Sequence, residues 1–349
     1  MSAPEPRGSD AVSRQIEAVL PFWLDRPDDE ALDIADEARS AGLGALWIGE
    51  MATFDAIALA TAVGHRAPGL RLKIGPLAIG VRSPVSIALG VSSVAALTGS
   101  HVDVALGASS PTIVSGWHDR EWAHSAPRMR ETIGSLRAIL AGNPSDSDSR
   151  HVRTHGFRLR RPQPDMRISV AAFGPAMIRV AARHADEVVL NLVPPDHIRA
   201  VRATVDAEAA AAGRTPPRLA VWVAAALEPG GEALAQLASQ LAIYLAPPGY
   251  GEMFSELGFS KLVRRAREGA RRSELAHEIP LELLKHVCAL GSGEDLVARV
   301  SEYHEAGADV VGVVPSTAED PGGRGVLTAV SEGFRAPHAP KPRTEELAS

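Results

Sequence analysis

Ile168-Ser169-Val170-Ala171-Ala172-Phe173-Gly174-Pro175 reads as a strand that ends in a turn and hands over to a helix. Ile168 to Ala172 has the character of a buried strand. Gly174 accepts turn geometries closed to other residues, and Pro175 suits the first helical position, where its missing N–H costs nothing. The helix that follows, Ala176 to His184, presents free N–H groups just beyond the strand's carboxyl end. That is where an α/β protein can hold a phosphate or another anion. A purely structural strand-to-helix turn is the competing reading of the same residues.

The unit repeats in both directions along the chain. Apolar strand segments are expected at Ile16–Leu20, Ala45–Ile48, Leu72–Ile79, His101–Leu106, Ile168–Ala172, Val188–Leu192, Leu219–Leu227 and Val310–Val314. Helices are expected between them, at Asp28–Ser40, Phe54–His65, Val85–Leu97, Pro127–Leu140, Ala176–His184, Asp196–Ala212, Glu232–Leu245 and Gly293–Ala306. Several strands are apolar almost throughout, as strands covered on both faces are. Eight strands with a crossover helix between successive members predict a closed (β/α)8 TIM barrel over residues 15–335. An open doubly wound sheet is the alternative, weakened by the lack of Gly-x-Gly-x-x-Gly at the first strand-to-helix turn. Residues 246–285 break the rhythm and read as a helical insertion. Residues 1–14 and 336–349 read as disordered tails.

Composition narrows the function. The formal charge is −6 and the chain has one cysteine, Cys288. The basic clusters at Arg158–Arg161 and Arg264–Arg272 read as solvated loops or helix faces, so no nucleic-acid partner is expected. Cys288 lies in an apolar run and reads as a small buried hydrophobe. No signal-peptide pattern and no membrane-spanning run are seen, so a soluble cytoplasmic protein is the reading; a long apolar helix face fits a homodimer, and a monomer with a well-packed barrel fits as well. No metal is expected, because His-Glu-x-x-His and cysteine clusters are lacking. The Gly-x-Ser-x-Gly elbow and the phosphate loop are lacking as well.

In a barrel, function sits on the loops after the strands. These loops carry Gly49-Glu50-Met51, Gly80-Val81-Arg82-Ser83, Gly107-Ala108-Ser109-Ser110, Phe173-Gly174 and, at the end of the sixth strand, Asn191. A longer loop, Gly116 to His124, holds Trp117, His118, Trp122 and His124. Glu50 and His118 are candidates for proton transfer; Glu50 as a simple helix cap and His118 as a surface residue are the plain alternatives. Arg82 is a candidate anion contact or a surface ion pair. Ser109 and Ser110 could donate to a ligand or cap the turn. Trp47, Met51, Trp117 and Trp122 could wall an apolar substrate cavity, with Arg82 and Asn191 as polar members.

In order and placement, five segments make the chain resemble the luciferase-like (bacterial luciferase superfamily) oxidoreductases, specifically the actinobacterial branch that uses the deazaflavin coenzyme F420. They are Leu46–Asp55, Gly80–Pro84, Ala105–Ser110, Ala171–Pro175 and Ala185–Asn191. The resemblance implies a (β/α)8 barrel with an insertion, usually dimeric. It implies that Gly107, Ala108, Ser109 and Ser110, with Ala171, Ala172, Phe173, Gly174, Pro175 and Ala176, hold the coenzyme's ribityl-phosphate arm. It also implies a non-prolyl cis peptide at Gly80-Val81, whose bulge backs the ring. The expected activity is hydride transfer between F420 and a small organic substrate. An FMN-dependent monooxygenase and a non-catalytic F420-binding homologue are the alternatives. The chain departs from the family where Met51 replaces a histidine and Ser110 a glutamate. The proton donor is therefore sought at Glu50 or His118, or on the substrate.

Overall fold

The computed structural model describes residues 14–50 and 52–335. Met51 and the expected tails lie outside the described residues, except Arg14. Eight parallel strands close into a ring: β1 (Gln15–Val19), β2 (Ala45–Ile48), β3 (Arg71–Ala78), β4 (Val102–Gly107), β5 (Ile168–Ala171), β6 (Glu187–Asn191), β7 (Arg218–Leu227) and β8 (Val310–Pro315). Neighbours pair in sequence order. The ring closes through β8 beside β1, with Ala18 opposite Val313. The expected TIM barrel is the observed architecture, and each of the eight expected strands is one of its staves.

Helices clothe the outside: α1 (Glu30–Ser40), α2 (Ala56–Arg66), α3 (Pro84–Thr98), α4 (Ser125–Leu140), α5 (Pro175–His184), α6 (Pro195–Ala211), α7 (Gly231–Leu241), α8 (Gly293–Glu305) and α9 (Arg324–Arg335). Local sequence sets their ends. Asp55 caps α2 by accepting from the Ile57 and Ala58 N–H groups at 2.9 and 3.1 Å. Ser83 and Pro84 open α3, and Ser292 and Asp295 form a reciprocal capping box on α8.

Three elements were not anticipated. A small hairpin pairs Asp146–Asp148 with Arg153–His155. A short strand, Cys288–Gly291, runs parallel to the upper half of β7, with Cys288 opposite Ala224. Helix α9 follows a glycine-rich turn that masks its start. Beyond α7 the chain forms short helices at Tyr250–Phe254, Ser260–Arg267, Arg272–Glu278 and Leu281–Val287. Cys288 is buried there, and burial pushes its thiol up to about 12. Among the described residues no helix is long and apolar enough to cross a membrane.

The barrel interior is not simply apolar. Lys73 on β3 lies between Glu17 on β1 and Glu187 on β6, with Nζ 2.8 and 3.0 Å from their carboxylates. Ser169 on β5 donates to Glu187 at 3.0 Å, and the Trp47 indole on β2 donates to Glu17 at 2.7 Å. All five side chains are buried. Burial pushes the Glu17 carboxyl up while Lys73 pulls against it. Above this layer Trp47 meets Trp222 of β7 edge-on, with ring centroids 5.3 Å apart. A Cβ at Gly312 would sit 2.8 Å from Trp222 Cδ1 and 2.7 Å from Val19 Cγ2, so β8 has room there only for glycine. The two indoles therefore form a floor across the barrel.

Removing the cation would strand two buried carboxylates. Lys73→Met should lower the free energy of unfolding by about 3–5 kcal/mol, read from urea denaturation. A loss below about 1 kcal/mol would show that the network is not needed for stability.

Candidate active site

The strand ends define one mouth of the barrel, and its two halves differ. On the β7, β8 and β1 side, loop atoms are bound to one another. Gln236 of α7 accepts from the Ser316 hydroxyl and the Thr317 N–H at 2.8 and 3.0 Å. Thr317 donates to Glu30 at 2.8 Å, and the Trp23 indole donates to the Pro315 carbonyl at 2.9 Å. The nearby cleft of about 470 Å³ is lined largely by charged residues, among them the ion pairs of Arg26 with Glu30 and Arg324 with Glu37.

The β3 to β6 side is built from small residues. A Cβ at Gly107 would lie 3.0 Å from Pro76 and 4.0 Å from that of Ala171. Pro76 follows Gly75 through a cis bond, where the β3–β4 register also shifts. The cis peptide and bulge expected at Gly80-Val81 thus stand five residues earlier, at an X-Pro bond, where the tertiary amide tolerates cis far better. Gly80 has another role: its missing side chain admits Val114 of the following loop.

The Gly107–Ser110 loop and the β5 turn make a cradle. Ser109 takes a left-handed backbone (φ 61°). The Ser110 hydroxyl accepts from the Ile113 N–H at 3.4 Å, so it caps the helical turn Thr112–Trp117. Gly174 has an ordinary φ of −75°, so its backbone does not require glycine; a Cβ there would meet open space. Gly174, Pro175 and Ala176 are exposed, and no acidic residue occupies the first turn of α5. Arg128, in the first turn of the neighbouring α4, keeps its Nε buried without a partner. An anion fits this end of α5 sterically and electrostatically.

Other candidates are placed differently from expectation. Trp47 is 0 % exposed and belongs to the floor, not to a cavity wall. Glu50 and Arg82 are spent on each other: Arg82 Nε donates to Glu50 at 3.1 Å, and its Nη2 also contacts Asp55. Hydrogen bonds to Glu50, then to Asp55, hold the Arg82 guanidinium ever more firmly charged. Glu50 is therefore no free base here, and Arg82 no free anion contact. His118 and Trp117 are exposed on the outer rim. Trp122 folds back so that its indole donates to the Ala108 carbonyl at 3.2 Å, pinning the long loop to the cradle.

The inward end of β6 is richer than expected. Asn191 lies opposite Trp222 in the β6–β7 register. The hydroxyls of Tyr244 and Tyr250 converge on its side chain, and the two rings stand 5.0 Å apart. Tyr250 packs on Phe173 of the cradle at 4.1 Å, and His197 stacks on Phe173 at 5.2 Å. Gly249, at φ +88°, leaves room for the Phe173 ring, which a Cβ would approach to 2.6 Å. Burial lowers the pKa of His197 and raises those of both phenols. Two of the chain's three tyrosines, six positions apart at the head of the insertion, were the available signal in the sequence.

This barrel has relatives among known proteins. The model of the luciferase-like monooxygenases matches residues 16–310, and the chain belongs to that family. A Mycobacterium tuberculosis protein named as a coenzyme F420-dependent oxidoreductase is 22 % identical over 328 residues, covering 86 % of this chain and 94 % of that one. The structure of coenzyme F420-dependent tetrahydromethanopterin reductase from Methanopyrus kandleri superposes with a TM-score of 0.76 at 15 % identity, over 91 % of this chain and 98 % of that one. An F420-dependent secondary alcohol dehydrogenase, in complex with an F420–acetone adduct, gives 0.75 at 15 % identity, over 91 % and 99 %.

Asp55 tests the geometry of this rim. Burial alone would raise its carboxyl, but Arg82 and the Ala58 and Ile57 N–H groups outweigh it and hold the pKa below the usual value. A lowered carboxylate stabilises above its unfolded value, near 4, and loses that stabilisation as pH falls through the folded one. Asp55→Ala should cost about 1 kcal/mol at pH 7 and less at pH 3, as urea denaturation at the two pH values would show.

Proposed function

We propose that the protein is an oxidoreductase that uses coenzyme F420 with a small organic carbonyl compound or the matching alcohol. The observation that carries this reading is the open, small-residue cradle at the start of α5, facing the Gly107–Ser110 loop, in a chain of this family. Gly107, Ala108, Ser109, Ala171, Ala172 and the N–H of Ala176 would hold the phosphate-bearing arm, since Pro175 has no N–H and those of Met177 and Ile178 are given to the Gly174 carbonyl. Pro76 and Gly107 would back the ring, above the floor made by Trp47 and Trp222. When bound, the coenzyme would exchange a hydride with the substrate carbon. The protein's part is to grip the anionic arm with backbone dipoles, keep the ring flat against small side chains and wall the substrate from water.

An FMN-dependent monooxygenase is the second reading, favoured by the family's name. Arginine and histidine are dense from residue 118 to 161 in a chain that is acidic overall. F420 carries acidic groups beyond its phosphate, which FMN lacks, and this basic stretch suits the longer anion. The choice of a carbonyl substrate is supported by the acetone adduct in the complex of a structural relative.

Fluorescence titration with F420 and with FMN separates the readings, and F420 should bind at micromolar concentration or tighter. Binding of neither would overturn the proposal. Gly174→Val should fold normally, because the site is open and its φ is ordinary. It should weaken F420 binding about tenfold, equivalent to about 1.4 kcal/mol; unchanged affinity would move the arm elsewhere.

We further propose that the protein is a homodimer that pairs through α2 and α3. From Ala56 to Gly64 and from Ser83 to Ser100 the chain has no charged residue. The outward face of α3 exposes Leu89 at 52 % and Leu97 at 65 %. A helix apolar on every side is normally covered. Leu89→Glu with Leu97→Glu should convert a dimer to a monomer by light scattering on a sizing column.

A further inference from the structure

Hydride delivery to a carbonyl carbon leaves negative charge on oxygen, and a proton must meet it. The residues sought for this in the sequence are poorly placed: Glu50 is tied to Arg82, and His118 is exposed on the outer rim. His197 spends its ring face on Phe173, and its Nε2 is buried without a partner. What remains at the mouth is the phenol pair at the end of β6. Tyr250 packs 4.1 Å from Phe173, one ring away from the cradle, and its hydroxyl and that of Tyr244 meet at Asn191. Asn191 stands opposite Trp222, at the edge of the floor on which the substrate would rest. Both tyrosines sit in a dense wall yet keep part of their surface exposed.

We propose that Tyr250, held in place by Tyr244 and Asn191, is the catalytic proton donor to the substrate oxygen. The inference rests on the functional reading above. As the carbonyl carbon gains a hydride, the C–O π bond breaks and its electron pair moves to oxygen. That oxygen takes the Tyr250 Oη proton, giving the alcohol. The phenolate left behind is met by the Asn191 amide and the Tyr244 hydroxyl, and water restores its proton. In the reverse direction the same oxygen would accept the proton of the alcohol. Tyr250 is protonated at neutral pH, as any phenol is, which is the form a donor needs.

The chain has three tyrosines, so full-length protein labelled with 3-fluorotyrosine carries three 19F reporters, assigned by single Tyr→Phe variants. Tyr303 donates to the Val193 carbonyl at 2.8 Å and is fully buried, so it serves as the internal control. Adding oxidised F420 should move the Tyr250 resonance and leave that of Tyr303 in place. In acetone reduction by reduced F420, Tyr250→Phe should lower kcat about 100-fold with KM and F420 affinity unchanged, and Tyr244→Phe should lower it less. F420 binding with a static Tyr250 signal, or full kcat in Tyr250→Phe, would overturn the donor assignment alone. No F420 binding to the unlabelled protein would overturn the functional reading and the assignment with it.

Discussion

One ammonium group between two carboxylates organises this barrel. Lys73, Glu17 and Glu187 come from three different staves, and Ser169 and Trp47 complete their hydrogen bonding. Ions withdrawn from water tolerate few arrangements, because each must find its partners or the structure loses several kcal/mol. The network therefore fixes how β1, β2, β3, β5 and β6 face inward. It also sets the height of the layer above it, since the Trp47 indole that satisfies Glu17 is the same ring that meets Trp222. Everything at the mouth is built on that floor.

The mouth is divided by how its backbone groups are satisfied. On the β7 to β1 side, Gln236, Glu30 and Thr317 consume loop donors and acceptors internally. On the β3 to β6 side the strand ends carry glycine and alanine, and open space stands where a side chain at Gly174 would be. Polar loop groups that are not used by the fold remain for a ligand. The proposed site would lie on the β3 to β6 side, where fewer loop groups are bound to one another.

Much of the architecture was legible in the chain. All eight staves were readable, because each is a short apolar run bounded by turn residues and followed by a helical period. The short strand Cys288–Gly291 was not, since four residues directly after the apolar helix Leu281–Val287 show no change of period. The strand ends proposed as the cradle were legible, because glycine and proline mark strand ends whatever the tertiary context. The interior was not. Lys73 and Glu187 are 114 positions apart, and only ring closure makes them neighbours. For the same reason Glu50 and Arg82 looked like two independent candidates and proved to be one ion pair. Trp47 looked like a wall residue because a place near the end of a strand says nothing of depth. Asn191 was found without its tyrosines, which arrive from beyond α7.

The place where the insertion rejoins the barrel has a mechanical consequence. The chain returns at Cys288 as an outer strand laid along β7 and then continues into α8. None of the eight staves has to shift to accommodate the excursion, so its length and content are decoupled from ring closure. Variation there would retune what enters the mouth without disturbing the ionic plug beneath it. A scaffold arranged this way can change clientele by exchanging one appendage.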